Sequence, residues 1–296
     1  MAKRTICIQN PAKLSVVHHA LRISTESRMA DVPLEDIWVV ILETHQAQIS
    51  TSALSSLVDN GIGVMLCGKD HMPNGLLLPI GAHSRHAAIV DDQLAISKPL
   101  KKRLWQRIVI AKINNQARAL DILGLDSKAV HSFSSRVLSG DTSNMESAAA
   151  SAYFRKLLPE GTRRSGPYAA ALDYGYAVLR AGIGRTAVSG GWLVSRGIHH
   201  SNDLNAFNLV DDLIEPFRPA IDLLILTEDL SGVLTPQIRA RLSSIFEMLV
   251  KVGKETTTVQ LAIEIELNTL KSAVKGSDPT LLRLPEIIPL QFVEQE

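Results

Sequence analysis

Residues Gly197–Pro219 read GIHHSNDLNAFNLVDDLIEPFRP. Leu209, Val210, Leu213, Ile214 and Phe217 recur at helical spacing, so the stretch from about Asn208 is a short amphipathic helix. Asp212 and Glu215 stand three apart and share one face of it. Pro216 has no backbone N–H to give and restricts its predecessor, which predicts a bend beside that face. His199 and His200 fall in the polar loop that enters the helix. A histidine converging with two carboxylates suits a hard or borderline divalent ion such as magnesium or manganese. Zinc would recruit thiolates or more histidines, and no cysteine is near. Paired acids on a helix face are also commonly solvated, and a His-His pair is commonly a loop feature. These residues alone leave both readings open.

The helical pattern extends both ways from this stretch. Trp105, Ile108, Val109 and Ile113 recur at spacings of three to five, with Ala119, Ile122 and Leu123 on the same face. Met145–Leu158, Ala169–Ala181, Thr235–Val252 and Thr257–Val274 also read as helices. The first eighty or so residues differ. Arg4–Gln9, Asp36–Glu43 and Gly63–Cys67 are short apolar runs bounded by turn residues, Leu76–Pro79 is another extended piece, and Thr51–Asn60 is a capped helix. The pattern changes after Gly81, and 81–97 reads as a linker carrying His83, Arg85 and His86. The expectation is an α+β chain: a small β-rich N-terminal domain with its linker (1–84), followed by a larger all-α catalytic domain (85–296).

At 296 residues the chain can bury a real core, and 46% hydrophobic with 21% charged residues fits a soluble globular protein. No apolar run approaches the roughly 18–20 residues of a membrane span, and no signal peptide is visible, so a cytoplasmic protein is expected. Cys7 and Cys67 lie in apolar strand-like runs and read as buried free thiols of a reducing compartment. A net charge of +1 excludes a protein that is basic all over, but not one with a local patch. Between Lys98 and Arg118 lie Lys98, Lys101, Lys102, Arg103, Arg107, Lys112 and Arg118, with no carboxylate. Arg155, Lys156, Arg163 and Arg164 form a second cluster. Either could be a solvated helix face; the length of the first favours a phosphate-facing surface.

Two glycine motifs fail on context. Gly63-Val-Met-Leu-Cys-Gly68-Lys69 has P-loop spacing, but Asp70 stands where a hydroxyl is needed and the intervening residues are strand-like. Gly182-Ile-Gly184-Arg-Thr-Ala187 follows a helix rather than a strand, so it reads as a helix end with a tight turn rather than a dinucleotide fingerprint.

The 197–219 segment resembles the signature of the CRISPR-associated protein one family, the spacer-integrating endonucleases of bacterial adaptive immunity. Four further stretches agree in order: Asp141–Phe154 resembles the family's glutamate-bearing helix, Leu172–Leu179 its tyrosine-containing core helix, Leu104–Ala117 the helix after its linker, and Pro33–Ile37 with the following strand its β-domain. The length and the HH…N…DLIEPFRP form resemble type II members. Ser147 departs from the glycine common after the family's glutamate.

The resemblance implies metal ligands Glu146, His200 and Glu215, which are also the catalytic residues, with Asp212 as an auxiliary acid. It implies Mg2+ or Mn2+ and integration by transesterification, in which a DNA 3′-hydroxyl attacks a phosphodiester. Lys101, Lys102, Arg103, Arg107, Arg163 and Arg164 become candidates for tracking double-stranded DNA, both the prespacer fragment and the CRISPR repeat. It also implies a homodimer bridged by CRISPR-associated protein two. Strand edges and apolar faces such as Ile37–Leu42 are the expected dimer contact. A branched-DNA repair nuclease and a non-catalytic DNA-end-binding scaffold are the alternatives.

Overall fold

A computed structural model of the protein describes residues 3–79 and 83–293; Gly81, where the sequence pattern changes, lies outside them. The fold is mixed α+β, and the chain divides into two compact units, Met1–Ser84 and Arg85–Glu296.

The first unit pairs two four-stranded sheets. Its strands are β1 (Arg4–Ile8), β2 (Lys13–Val17), β3 (Ala20–Ser24), β4 (Met29–Pro33), β5 (Ile37–Leu42), β6 (Gln48–Ile49), β7 (Gly63–Cys67) and β8 (Pro73–Leu77), with helix α1 (Thr51–Asp59) before β7. One sheet runs β1-β5-β7-β8 and the other β4-β3-β2-β6. Leu14 and Leu21 from the second sheet, Val40 and Val64 from the first, and Leu57 of α1 share one core. All six residues of β5 are buried and the strand is flanked on both sides, as its unbroken Ile-Trp-Val-Val-Ile-Leu run befits. Ile37–Leu42 is therefore interior and cannot be the apolar face of a dimer. The open edges belong to β1, β8, β4 and β6. Cys67 is buried and Cys7 only partly so.

The second unit holds α2 (His86–Leu94), α3 (Lys98–Ile122), α4 (Lys128–Ser134), α5 (Met145–Leu157), α6 (Ala169–Ser189), α7 (Asn208–Leu213), α8 (Arg218–Thr227), α9 (Pro236–Ser243), β9 (Met248–Val252), β10 (Glu255–Thr258), α10 (Val259–Gly276) and β11 (Glu286–Phe292). It is not all-α: β10-β9-β11 form an antiparallel sheet. The helix expected over Thr235–Val252 stops at Ser243, passes through a 3-10 turn, and becomes β9. Gly253, at a positive φ, makes the tight β9–β10 turn. The segment 81–97 is also more than a linker, since it forms α2. From there the buried Gln93 donates to the carbonyls of Leu193 and Arg196 and accepts from the Leu193 N–H.

The apolar stripe of α3 is central. Ser97 caps the helix by accepting from the Leu100 N–H, and Leu104, Trp105, Ile108, Val109, Ile113 and Leu120 are buried along it. Gly182 and Gly184 lie inside α6 rather than at its end. The aromatic ring of Phe207 lies 3.4 Å from where a Cβ on Gly184 would stand, so a small residue here goes with close packing rather than a turn. Gly175 plays the same part opposite Ile221 of α8, 2.7 Å from an ideal Cβ position.

Candidate metal centre

Three segments of the second unit converge on one buried ammonium. Lys112 of α3 places Nζ 2.6 Å from Oε1 of Glu146 and pairs more closely still with Oε2 of Glu215. Both carboxylate oxygens reach the same nitrogen, so they are separated by no more than roughly 6 Å, twice a hydrogen-bond length. Glu146 is set by the start of α5: Asp141 accepts from the N–H groups of Met145 and Glu146 at 2.8 and 3.0 Å and fixes the first turn. Glu215 lies in the bend between α7 and α8. Asn115 of α3 pins that bend by donating to the carbonyls of Pro216 and Pro285 while accepting from the Ile287 N–H.

Glu215 also accepts from Arg218 Nε at 2.9 Å, and the Arg218 guanidinium lies over the Tyr176 ring. Burial alone would push the Glu215 carboxyl up; the charges of Lys112 and Arg218 outweigh it and hold the group at about 2. Burial likewise opposes the Lys112 charge, and attraction to Glu215 and Glu146 overcomes it, leaving the ammonium harder to deprotonate than usual. Beneath Arg218, Asp222 accepts from the hydroxyls of Tyr153 and Tyr176 at 2.9 and 2.5 Å. Burial raises Asp222 to about 6 against those two hydrogen bonds.

His200 sits beside this pair but is held separately. Its Nδ1 is 2.7 Å from Asp212 Oδ1, and a carboxylate only accepts, so Nδ1 is the donor. Asp212 is fully buried and also takes the N–H groups of Ile198, His199 and His200. The hydrogen bond to Asp212 raises the His200 pKa, opposed by burial and helped by the charges of Asp212, Glu215 and Asp211. Trp105 of α3 backs the loop, stacked on His199 at 4.3 Å and edge-on to His200 at 5.7 Å. Gly197 allows this loop its path: a Cβ there would lie 2.3 Å from the His200 carbonyl oxygen and 2.7 Å from Asp212.

The structure thus joins Glu146 to Glu215 and His200 to Asp212. Among the described residues, no three His, Cys, Asp or Glu side chains stand close enough to hold one metal ion as they are. The donor set still fits a divalent cation. Lys112 shows that the space between Glu146 and Glu215 is built for positive charge. An Nδ1–H bound to a carboxylate would leave the imidazole Nε2 as the atom to ligate a metal, the usual support for a metal-bound histidine. Asp212 accepts from three backbone N–H groups and from the His200 ring, so it holds that ring in place.

A cavity of about 520 Å³ opens beside the pair, lined by Lys112, Gln116, Arg163, Arg164, Tyr176 and Arg218 among others. Arg163 pairs with Asp173, and Arg164 is exposed. The cations of α3 do not form one face. Lys101 donates to the Gly197 carbonyl and Arg107 to that of Leu282, while Lys102 and Arg103 are exposed.

Residues 6–237 match the model of the family CRISPR associated protein Cas1. The chain belongs to the Cas1 family. It is 38% identical, over the full length of both chains, to the CRISPR-associated endonuclease Cas1 of Neisseria meningitidis serogroup C (strain 8013). Its fold is similar to that of a casposase bound to integration product, with TM-score 0.74 and 15% identity over 95% of this chain and 93% of that one. It is also similar to a chain of a Cas6-RT-Cas1–Cas2 complex, with TM-score 0.71 and 17% identity over 95% of this chain and 36% of that longer one.

Sequence reasoning missed Lys112, Arg218 and Asp222 as parts of this candidate site. Lys112 had a readable signal. It falls four residues after Ile108 and seven after Trp105, on the apolar stripe of α3, where a lysine needs a buried partner.

Proposed function

We propose that the chain is a divalent-metal-dependent DNA endonuclease and integrase of CRISPR adaptation, a type II-like member that inserts short fragments into a repeat array. The observation that carries this reading is the buried Lys112 ammonium between Glu146 and Glu215, beside a histidine oriented by Asp212. A cation-holding pair at the rim of an arginine-lined cavity is what phosphodiester chemistry requires. The name of the Neisseria relative and the casposase with its integration product support the same activity.

Magnesium or manganese, when bound, would polarise a phosphoryl oxygen and stabilise the charge that develops on it. Glu146 and Glu215 would hold the ion, with His200 as the third ligand. Asp212 keeps His200 in the tautomer that ligates. Arg218 holds one oxygen of Glu215, leaving the other directed at the cation. Arg163 and Arg164 face a phosphodiester entering the cavity, and the exposed Lys102 and Arg103 supply charge for longer DNA. We read the working form as a cytoplasmic homodimer joined through the β-rich unit and bridged by a Cas2 protein; the similar fold found in a Cas6-RT-Cas1–Cas2 complex supports the Cas2 partner.

The test is strand transfer of a fragment bearing a 3′-hydroxyl into a repeat-containing plasmid with manganese present. Wild type should give joined product, and Glu146→Ala, His200→Ala and Glu215→Ala should each abolish it while the fold persists. Cleavage of branched DNA with no joining would replace this reading by a repair nuclease. DNA binding with neither reaction would replace it by a scaffold.

A further inference from the structure

The side of α3 that faces away from Lys112 lines a second groove. Arg107, Ile110, Ala111, Asn114 and Arg118 recur at helical spacing along it. The β9–β10 turn supplies Lys254 to the opposite wall, and the segment leading into β11 supplies Arg283. The groove encloses about 640 Å³ and no residue of the Glu146–Glu215 pair lines it. Four cations, Arg107, Arg118, Lys254 and Arg283, stand there against two acids, Glu255 and Glu286. Glu286 is engaged by Arg118 at 2.7 Å. Asp278 lies near Arg103 and Arg107 at one end.

Arg107 already donates to the Leu282 carbonyl and Arg118 pairs with Glu286, so Lys254 and Arg283 are the exposed cations that a phosphate backbone in the groove would meet. From Arg107 to Arg118 the helix rises about 16 Å at 1.5 Å per residue. A DNA strand carries one charge per roughly 3.4 Å of axis, so about five phosphates span that length.

We propose that this groove binds the phosphodiester backbone of a DNA strand, as a second site on the face of α3 opposite the candidate metal centre. The proposal rests on the reading of the chain as a DNA-processing enzyme. It gives the acid-free run of α3 two roles: Lys112 neutralises the buried carboxylates, while Arg107 and Arg118 line a groove for DNA.

Lys254 and Arg283 are exposed and, among the described residues, tie down no other element through their side chains, so the variant Lys254→Gln/Arg283→Gln should fold. Its affinity for a labelled single-stranded oligonucleotide and for the matching blunt duplex is measured by anisotropy across a salt series. Two lost contacts should weaken binding roughly tenfold or more near 0.1 M salt. They should reduce the slope of log K against log salt by about 1.4 if the groove takes a single strand and about 1.8 if it takes duplex. Lys128→Gln/Lys275→Gln removes the same charge elsewhere and should leave the slope unchanged. An unchanged slope in the groove variant, or an equal loss in this control, overturns the proposal. If wild type joins strands and Glu146→Ala does not, the functional reading stands whichever way the groove experiment falls.

Discussion

Replacing Lys112 by methionine keeps most of its volume and removes the one charge shared by Glu146 and Glu215. Glu215 shows the scale. Its carboxyl is held at about 2 where a glutamate's ordinary value is 4.5, and each pKa unit corresponds to about 1.4 kcal/mol. The net attraction therefore stabilises the fold by about 3 kcal/mol. The folded pKa is the lower one, so this contribution is complete above about pH 4.5 and is lost as pH falls towards 2. A measurement at pH 7 sees all of it. Arg218 shares the effect, but Lys112 also neutralises Glu146, and breaking a buried pair by removing one partner costs about 3–5 kcal/mol.

For a unit of this size each kcal/mol moves Tm by about 2–4 °C, so Lys112→Met should melt roughly 6–20 °C below wild type in chelator. Lys112→Arg, which keeps the charge, should lose much less. Manganese supplies the second arm of the test. In wild type an incoming ion must displace the ammonium, whereas in Lys112→Met it meets two uncompensated carboxylates. The ion should raise Tm more in the variant, by an amount that grows with concentration as the logarithm of occupancy. A variant melting within about 2 °C of wild type in chelator would refute the electrostatic reasoning. Equal manganese shifts in the two proteins would show that the ion does not enter between Glu146 and Glu215.

Asp222 should give a pH dependence of the opposite kind. Its folded pKa of about 6 lies above the ordinary aspartate value of 3.8, so its contribution is complete below about pH 3.8 and is lost as pH rises through 6. Relative to Asp222→Asn, wild type should therefore lose about 3 kcal/mol between pH 4 and pH 7 in denaturant titrations, and a flat difference would contradict the burial argument. Glu266 of α10 is fully buried, neither carboxyl oxygen has a hydrogen-bond partner among the described residues, and burial drives its pKa well up. Glu266→Leu should raise the denaturant midpoint, by about 1–3 kcal/mol of stability, and a lower midpoint would mean the carboxyl has a role that its surroundings do not show. The chain should be a dimer without DNA at micromolar concentration by light scattering; a monomer mass would remove the β-unit as the joining surface and leave the metal centre untouched.

Legibility followed period and length. The bend at Pro216 and the loop carrying His199 and His200 could be read from residue types, because proline and an apolar 3.6-residue stripe leave few alternatives. β5 was visible as an unbroken apolar run, yet the same run marks a strand covered on both faces, which is why it could not serve as an interface. β2 and β3 were missed because their turn is made by His18 and His19, both at positive φ, with none of the usual Asn-Gly signal. β9 was hidden because Met248–Val252 continues the apolar spacing of α9, and five residues cannot separate a strand from another helical turn. Asp212 was found, but its role was not: three backbone N–H groups and an imidazole bind it only once the loop has folded.

The same limit explains the charge run of α3. Read along the chain, seven cations without an acid look like one surface. Wound at 100° per residue, they separate. Lys112 turns inward to the carboxylates, and Lys101 reaches the Gly197 carbonyl of the histidine loop. Arg107 and Arg118 face the groove instead. The helix can do this because its buried side is not purely apolar: Trp105 stacks on His199, and Asn115 holds the bend at Pro216. A small displacement of α3 would therefore move the backing of His200, the pin on the Glu215 bend and the cation between the carboxylates together. That shared support is what makes the separation of Glu146 from Glu215 a property of α3 rather than of the loops that carry them.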